Sequence, residues 1–493
     1  MNIKGLLVTV SALSISASAF AMDKVSQLSD NSGSVVNSVQ SLSVDQMSGT
    51  AQSVSSSATG ARTSVSVSSL STSQQQGGLT VAPVGGIGNV NQASINTGSV
   101  TNETGFVSVG RGSDLGAASS VSVSATGAAS GASLFVLGKD GVINFTMGDV
   151  DQRADNAGRV SNLVQDVAVQ SLQGAASSVS VSATGASNGV SQNFVSASLP
   201  AGTYLQTGNV SQDASNYATV SNQIGAGSVT AGTVGGNGAS VSVSASGASN
   251  GVSTVLIDSA GKAAFLTGAV NQAATNTGVI VNSATDVATG DVTGTGASVS
   301  VGATGASNAH SLVVMGSNDP NVAAINLGLT QVSENSGSVV NHVSTISVGN
   351  VVGAAASVSA SATGASSSQT VANIGNPGLI SSTSSGPINQ SATNTGLVAN
   401  NASSLVATSL NGIGASLSAS ATGASVSKNA VSINGGPVLI ADLSSVTQNA
   451  INAGPVTNNL TNLSAGTMFG TGASISSSAV GASASVSFAS LHN

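Results

Sequence analysis

Three side-chain amides return at fixed spacing along this chain, first seen whole as Gln92, Asn96 and Asn102 in VNQASINTGSVTN, residues 90–102. They recur as Gln152, Asn156 and Asn162, as Gln212, Asn216 and Asn222, and as Gln272, Asn276 and Asn282. Further copies hold Gln331, Asn335 and Asn341, then Gln390, Asn394 and Asn400, then Gln448, Asn452 and Asn458, while an earlier, less perfect copy begins at Gln27 and Asn31. An amide both donates and accepts, so its chemistry is mutual hydrogen bonding rather than proton transfer or nucleophilic attack. Catalytic patterns are poor by comparison. G-x-S-x-G occurs at Gly185-Ser187-Gly189 and Gly247-Ser249-Gly251, yet no recurring His or acid accompanies it. His310, His342 and His492 are solitary, and the chain has no Cys. The sequence therefore predicts no catalytic residue, no metal site and no cofactor.

The elements that must position these amides are strands. Every second residue of the motif is held, as in Val150-Gln152-Ala154-Asn156-Gly158-Val160-Asn162, while the intervening residues drift from Asn91, Ala93 and Ile95 to Asp151, Arg153 and Asp155. One fixed parity beside one free parity marks a strand with one specified face. A second segment alternates too, with Ser178, Ser180, Ser182 and Thr184 on one parity and Val179, Val181, Ala183 and Gly185 on the other. Its T-G-A end reads as a corner. Between these segments lies a Val/Ala-rich run such as 166–172, and after the Ser segment a variable piece. LFVLGKDGVINF (134–145), VLIDSAGKAAFL (255–266) and VSINGGPVLI (431–440) read as hairpins carrying Phe135, Phe145, Phe265, Lys139 and Lys262.

Periodicity sets the organisation. The motif glutamines step by 65, 60, 60, 60, 59, 59 and 58 residues, and the Ser-segment glycines Gly60, Gly127, Gly185, Gly247, Gly305, Gly364, Gly423 and Gly481 keep the same rhythm. The predicted fold is an all-β, repetitive β-solenoid, a β-helix-like cross-β stack of eight units of about 59 residues. The units span 25–88, 90–149, 150–209, 210–269, 270–328, 329–387, 388–445 and 446–493, within one repeat domain, 22–493. Gln stacked on Gln and Asn on Asn, about 4.8 Å apart, would satisfy buried amides mutually. Three turns of roughly 20 residues per unit give a rod of about 100–120 Å and two turns a shorter, thicker one, and the spacing accommodates either.

Composition agrees with a thin core. Of 493 residues 61 are Gly, 5% are charged and 2% aromatic, far too few large side chains for a thick globular interior. Residues 1–21 read as a secretory signal peptide, with Lys4, an apolar stretch from Leu6 to Ile15 and the cleavage pattern Ala19-Phe20-Ala21. Its removal, which takes Lys4 with it, moves the formal net charge from −8 to −9 and disfavours nucleic acid as a partner. No later run is long and apolar enough to span a membrane.

With Q-x-A-x-N-x-G-x-V-x-N in a Cys-free, Gly/Ser/Asn/Gln-rich repeat chain, the sequence resembles bacterial functional amyloid subunits of the curli and Fap type. The resemblance covers the eight Gln/Asn segments, and it implies laddered amides in a cross-β subunit that polymerises into biofilm fibres. The repeats here are much longer than curli units, the Ser segment has no counterpart, and the C-x-x-C of Fap subunits is missing. The expected function is a structural subunit of an extracellular amyloid-like fibre or biofilm matrix, secreted to a bacterial cell surface. Its expected partners are further copies of itself and a dedicated export or nucleation machinery. The alternative is a monomeric solenoid adhesin binding a surface or glycan through the variable pieces, and a polysaccharide-cleaving β-helix ranks third. The irregular stretch 71–86 in unit one, and a last unit without a full variable piece, are readable as caps or as docking faces.

Overall fold

The computed structural model describes residues 14–16, 21–44, 52–72, 75–76, 79–80, 84–109, 119–139, 144–196, 204–258, 264–316, 322–326, 328–375, 380–384, 386–434 and 445–492. Every described element is a strand or a short turn, and three long sheets of parallel strands run through all eight units. Unit three shows the pattern. Val150–Asn156 lies in a Gln sheet, Val160–Gln173 in an Asn sheet and Ser178–Ser196 in a Ser sheet. Each strand pairs in register with its equivalent one unit on: Gln152 with Gln212, Asn162 with Asn222, Ser178 with Ser240. The chain is a β-solenoid.

Each unit makes one turn of the solenoid, where the spacing had allowed two or three. The reason is strand length. Ser-sheet strands run 19 or 20 residues in units one to eight, about 60 Å each, so a single circuit consumes the whole unit. The eight rungs stack to roughly 35–40 Å, far less than the 100–120 Å of a three-turn rod. The Ser sheet forms one wall of a slab, and the Gln and Asn sheets lie end to end as the other. Val164, Val167 and Val169 of the Asn sheet share a core with Val179 and Val181 of the Ser sheet. At the far end Met147 and Val150 of the Gln sheet pack with Val190 and Phe194. The core is one inward side chain deep from each wall.

Two local readings are corrected. T-G-A is not a corner, because Gly185 lies inside Ser178–Ser196. The buried parity changes there, from Val179, Val181 and Ala183 to Ala186, Asn188 and Val190. A Cβ on Gly185 would run into Asn216 Oδ1 of the opposite wall, which is why the position has none. The variable pieces are arches rather than hairpins. Residues 134–139 end a Ser-sheet strand, whereas Asn144–Met147 joins the Gln sheet, and 255–258 and Ala264–Thr267 divide the same way. Residues 140–143, 259–263 and 435–444, between these strands, lie outside the described residues. In unit one, conversely, Gln75–Gln76 and Leu79–Thr80 form a small antiparallel pair within 71–86.

Turns from the Asn sheet to the Ser sheet need left-handed backbone. Gly236 and Gly238 take φ of 109° and 70°, but the equivalent of Gly238 is Ala176 in one unit and Ala355 in another, each with φ 56°. Left-handed conformation costs an L-residue roughly 1–2 kcal/mol, of which glycine's extra unfolded-state freedom offsets a part. Ala176→Gly and Ala355→Gly are each expected to stabilise the fold by about 0.5–1 kcal/mol, read as a raised midpoint in chemical denaturation.

Candidate functional site: the interior amide ladders

The inward parity of the Gln and Asn sheets places the motif amides between the walls, where Gln152, Asn156 and Asn162 have no exposed surface. Consecutive glutamines bond to one another in a continuous column. Gln92 Nε2 donates to Gln27 Oε1, and the series continues through Gln152, Gln212, Gln272, Gln331, Gln390 and Gln448 at 2.7–2.9 Å. The second Nε2 proton crosses the core to a Ser-sheet carbonyl: Gln152 to Gly189, Gln212 to Gly251, Gln272 to Ala309. Each buried glutamine thus ties its rung both to the one before it and to the other wall.

Two Asn columns run beside it with the opposite sense. Asn31 Nδ2 donates forward to Asn96 Oδ1, and Asn96, Asn156, Asn216, Asn276, Asn335 and Asn394 each donate to the next, ending at Asn452, at 2.7–2.8 Å. The other proton folds back to the carbonyl two residues on, as from Asn96 to Gly98 and Asn335 to Gly337, and so fixes the bend between the Gln and Asn sheets. In the second column Asn102, Asn162, Asn222, Asn282, Asn341 and Asn400 donate forward, ending at Asn458, at 2.8–2.9 Å. Here the second proton crosses to the Ser sheet, from Asn222 to the Val181 carbonyl and from Asn400 to that of Ala360.

Other members of this system escaped the sequence reading. Asn37 starts the second Asn column, donating to Asn102 Oδ1 at 2.7 Å, and the exact Val25-Gln27-Ser29-Asn31-Gly33-Val35-Asn37 frame could have found it. A partial column in the Ser sheet runs from Asn188 to Asn250 to Asn308 at 2.9 Å. It follows the parity change at Gly185, where a pattern read in one frame loses the inward face.

Polar side chains also interrupt the apolar end of the core. His310, Gln369 and Lys428 stack at one inward position of the Ser sheet, in line with Val252 below and Val486 above. Lys428 is 2% exposed, and its Nζ lies 5.8 Å from the centre of the Phe488 ring. Burial alone lowers the His310 pKa from its ordinary 6.5 to about 4, and its Nδ1 has no hydrogen-bond partner.

Outward-facing groups assemble little. Arg153 pairs with Asp155 at 2.6 Å, and desolvation together with the nearby Asp155 raises the Asp213 pKa. Among the described residues no three His, Asp or Glu side chains stand close enough to hold a metal ion, and no helix is long and apolar enough to cross a membrane. Ser187 and Ser249 of the two G-x-S-x-G strings lie within strands, in register with each other. Comparison with protein families, with curated proteins and with solved structures finds no match to this chain.

Two outcomes test this interior. Asn276 accepts from Asn216 and donates to Asn335 and the Gly278 carbonyl, so Asn276→Asp sets a buried carboxylate against two oxygens. A loss of about 3–5 kcal/mol is expected from denaturant titration at neutral pH, and unchanged stability would contradict the inward amide. His310 contributes a pH dependence of definite sign. Between pH 6.5 and about 4 the unfolded chain binds a proton that the folded chain does not, so stability is full above that window and falls within it. The total loss is on the order of 3 kcal/mol, and His310→Val should flatten this part of the profile.

Proposed function

We propose that the chain is a structural subunit of an extracellular fibre or biofilm matrix, assembling by β-strand addition at the ends of its stack. The observation that carries this reading is that, among the described residues, the outer edges of the first Gln- and Asn-sheet strands and of the last Ser-sheet strand have no strand partner. Ala21–Asn31 and Val35–Val44 each pair with unit two alone, and Ser474–His492 pairs with Ser416–Asn434 alone. A solenoid edge with unpaired N–H and C=O groups is a template for another strand unless something covers it. Terminal amides such as Gln448, Asn452 and Asn458 are part-exposed, whereas their equivalents in the inner units are buried. The leader-like first 21 residues and the absence of Cys fit export of such a subunit.

The mature chain, concentrated in neutral buffer, is expected to form thioflavin-positive filaments with a meridional reflection at about 4.7–4.8 Å. A chain that sediments as a folded monomer for days, with no filaments in electron micrographs, would overturn the proposal.

A further inference from the structure

The two ends of the stack are not equivalent, and they fit each other. The walls are offset by part of a rung. Gly60 of the Ser sheet faces Asn96 of the following unit, Gly127 faces Asn156, and the relation holds through Gly423 and Asn452. Gly481 breaks the series, because no following unit brings an Asn oxygen against it. The last Ser-sheet strand therefore overhangs, leaving its inward residues Val486 and Phe488 45% and 63% exposed. At the other end the Gln and Asn strands of unit one overhang instead, with Val25, Gln27 and Asn31 part-exposed.

The amide columns carry the same complementarity as direction. Asn columns donate forward, so Asn452, bonded to the Gly454 carbonyl, ends its column with a forward N–H, while Asn31 begins it with an acceptor oxygen that no described residue fills. Gln columns donate backward, so Gln448 ends with an open Oε1 and Gln27 begins with an N–H beyond the one it gives to the Ser64 carbonyl. Asn458 is the exception, since its Nδ2 also reaches Ser477 Oγ at 3.0 Å. Docking thus falls on the Gln27/Gln448 and Asn31/Asn452 pairs.

Resting on the fibre reading above, we propose that the docking partner is a second copy of this chain, joined head to tail with unit one laid in register on unit eight. The unit-to-unit register, carried one step further, sets Val25 on Val446, Gln27 on Gln448, Asn31 on Asn452, Val35 on Val456 and Leu42 on Leu463. Apolar meets apolar, and every free amide donor meets a free acceptor. The overhanging Val486 and Phe488 are covered by the incoming Gln strand, as Val190 and Gln192, at the same register positions, are buried within the stack. Like ends cannot do this. Two N-terminal ends would set acceptor against acceptor at Asn31, and would need antiparallel pairing where every pairing between units is parallel. Ser14–Ser16, inside the leader, pairs with Ser66–Ser68 along the docking edge of unit one, so leader removal clears that edge.

The chain has no Cys, so cross-linking can read the polarity directly. Ser26 and Thr447 are outward, exposed and at the same register position. The mature Ser26→Cys and Thr447→Cys chains are mixed in equal amounts, assembled, treated with a short bis-maleimide and digested for mass spectrometry. A 26–447 cross-link at least tenfold more abundant than 26–26 or 447–447 is expected. Filaments carrying 26–26 or 447–447 links, or neither kind, overturn the head-to-tail arrangement while the fibre reading stands. Folded monomers without filaments or cross-links overturn both.

Discussion

A carboxamide sealed between two sheets has two protons and an acceptor oxygen to satisfy, and leaving any of them unmet costs about 1–3 kcal/mol. An identical amide on the adjacent strand of a parallel, in-register sheet meets that demand along the stack, and a carbonyl across the core or two residues on meets the rest. Most of the architecture follows from this requirement. Register is specified because a one-residue slip would move Gln152, Asn156 and Asn162 from the interior to solvent. Unit length is confined because each amide must arrive beside its equivalent, and the ladder spacings accordingly hold at 58–60 residues through units two to eight.

The same requirement explains the composition. Amide columns bridge the two walls directly, so the slab is thin and its apolar filling is Val and Ala rather than aromatic rings. Gly185 and its equivalents give up a side chain so that the Asn of the first column fits against the opposite wall. The larger hydrophobic clusters lie toward the two ends of each turn, Val164 with Val181 at one and Val150 with Phe194 at the other, and smaller ones such as Val160 with Ala183 and Ala154 with Ala186 sit among the amides between them. Lateral cohesion is polar and vertical cohesion is backbone pairing, reinforced by the columns.

Much of this was legible in the sequence because parity is a strong signal where one face is wholly specified. The Gln and Asn positions, the strand nature of both repeated segments and the count of units are all contained in the spacing. What misled was local. A glycine after four alternating Ser–Val steps looks like a turn, and nothing in T-G-A says that the chain runs straight on through Gly185 while its inward parity changes. That change concealed the Asn188 column. Gly-Lys-Asp-Gly between β-prone runs carries the composition of a hairpin, but the partners of Phe135 and Phe145 are strands of other units in two different sheets. Strand pairing is non-local, and turn composition does not report it. The same ambiguity made two or three turns per unit look acceptable where the chain makes one.

One circuit per repeat also shapes how the chain can reach its native state. Paired residues lie about sixty positions apart in nearly every rung, so local contacts offer almost no early reward and the first closed circuit carries a large entropic barrier. Once a rung exists, its edge is a ready template on which the next segment can lay down with backbone bonds and amides matched. Folding of a single molecule then resembles crystal growth, with a slow nucleus and fast propagation in one dimension.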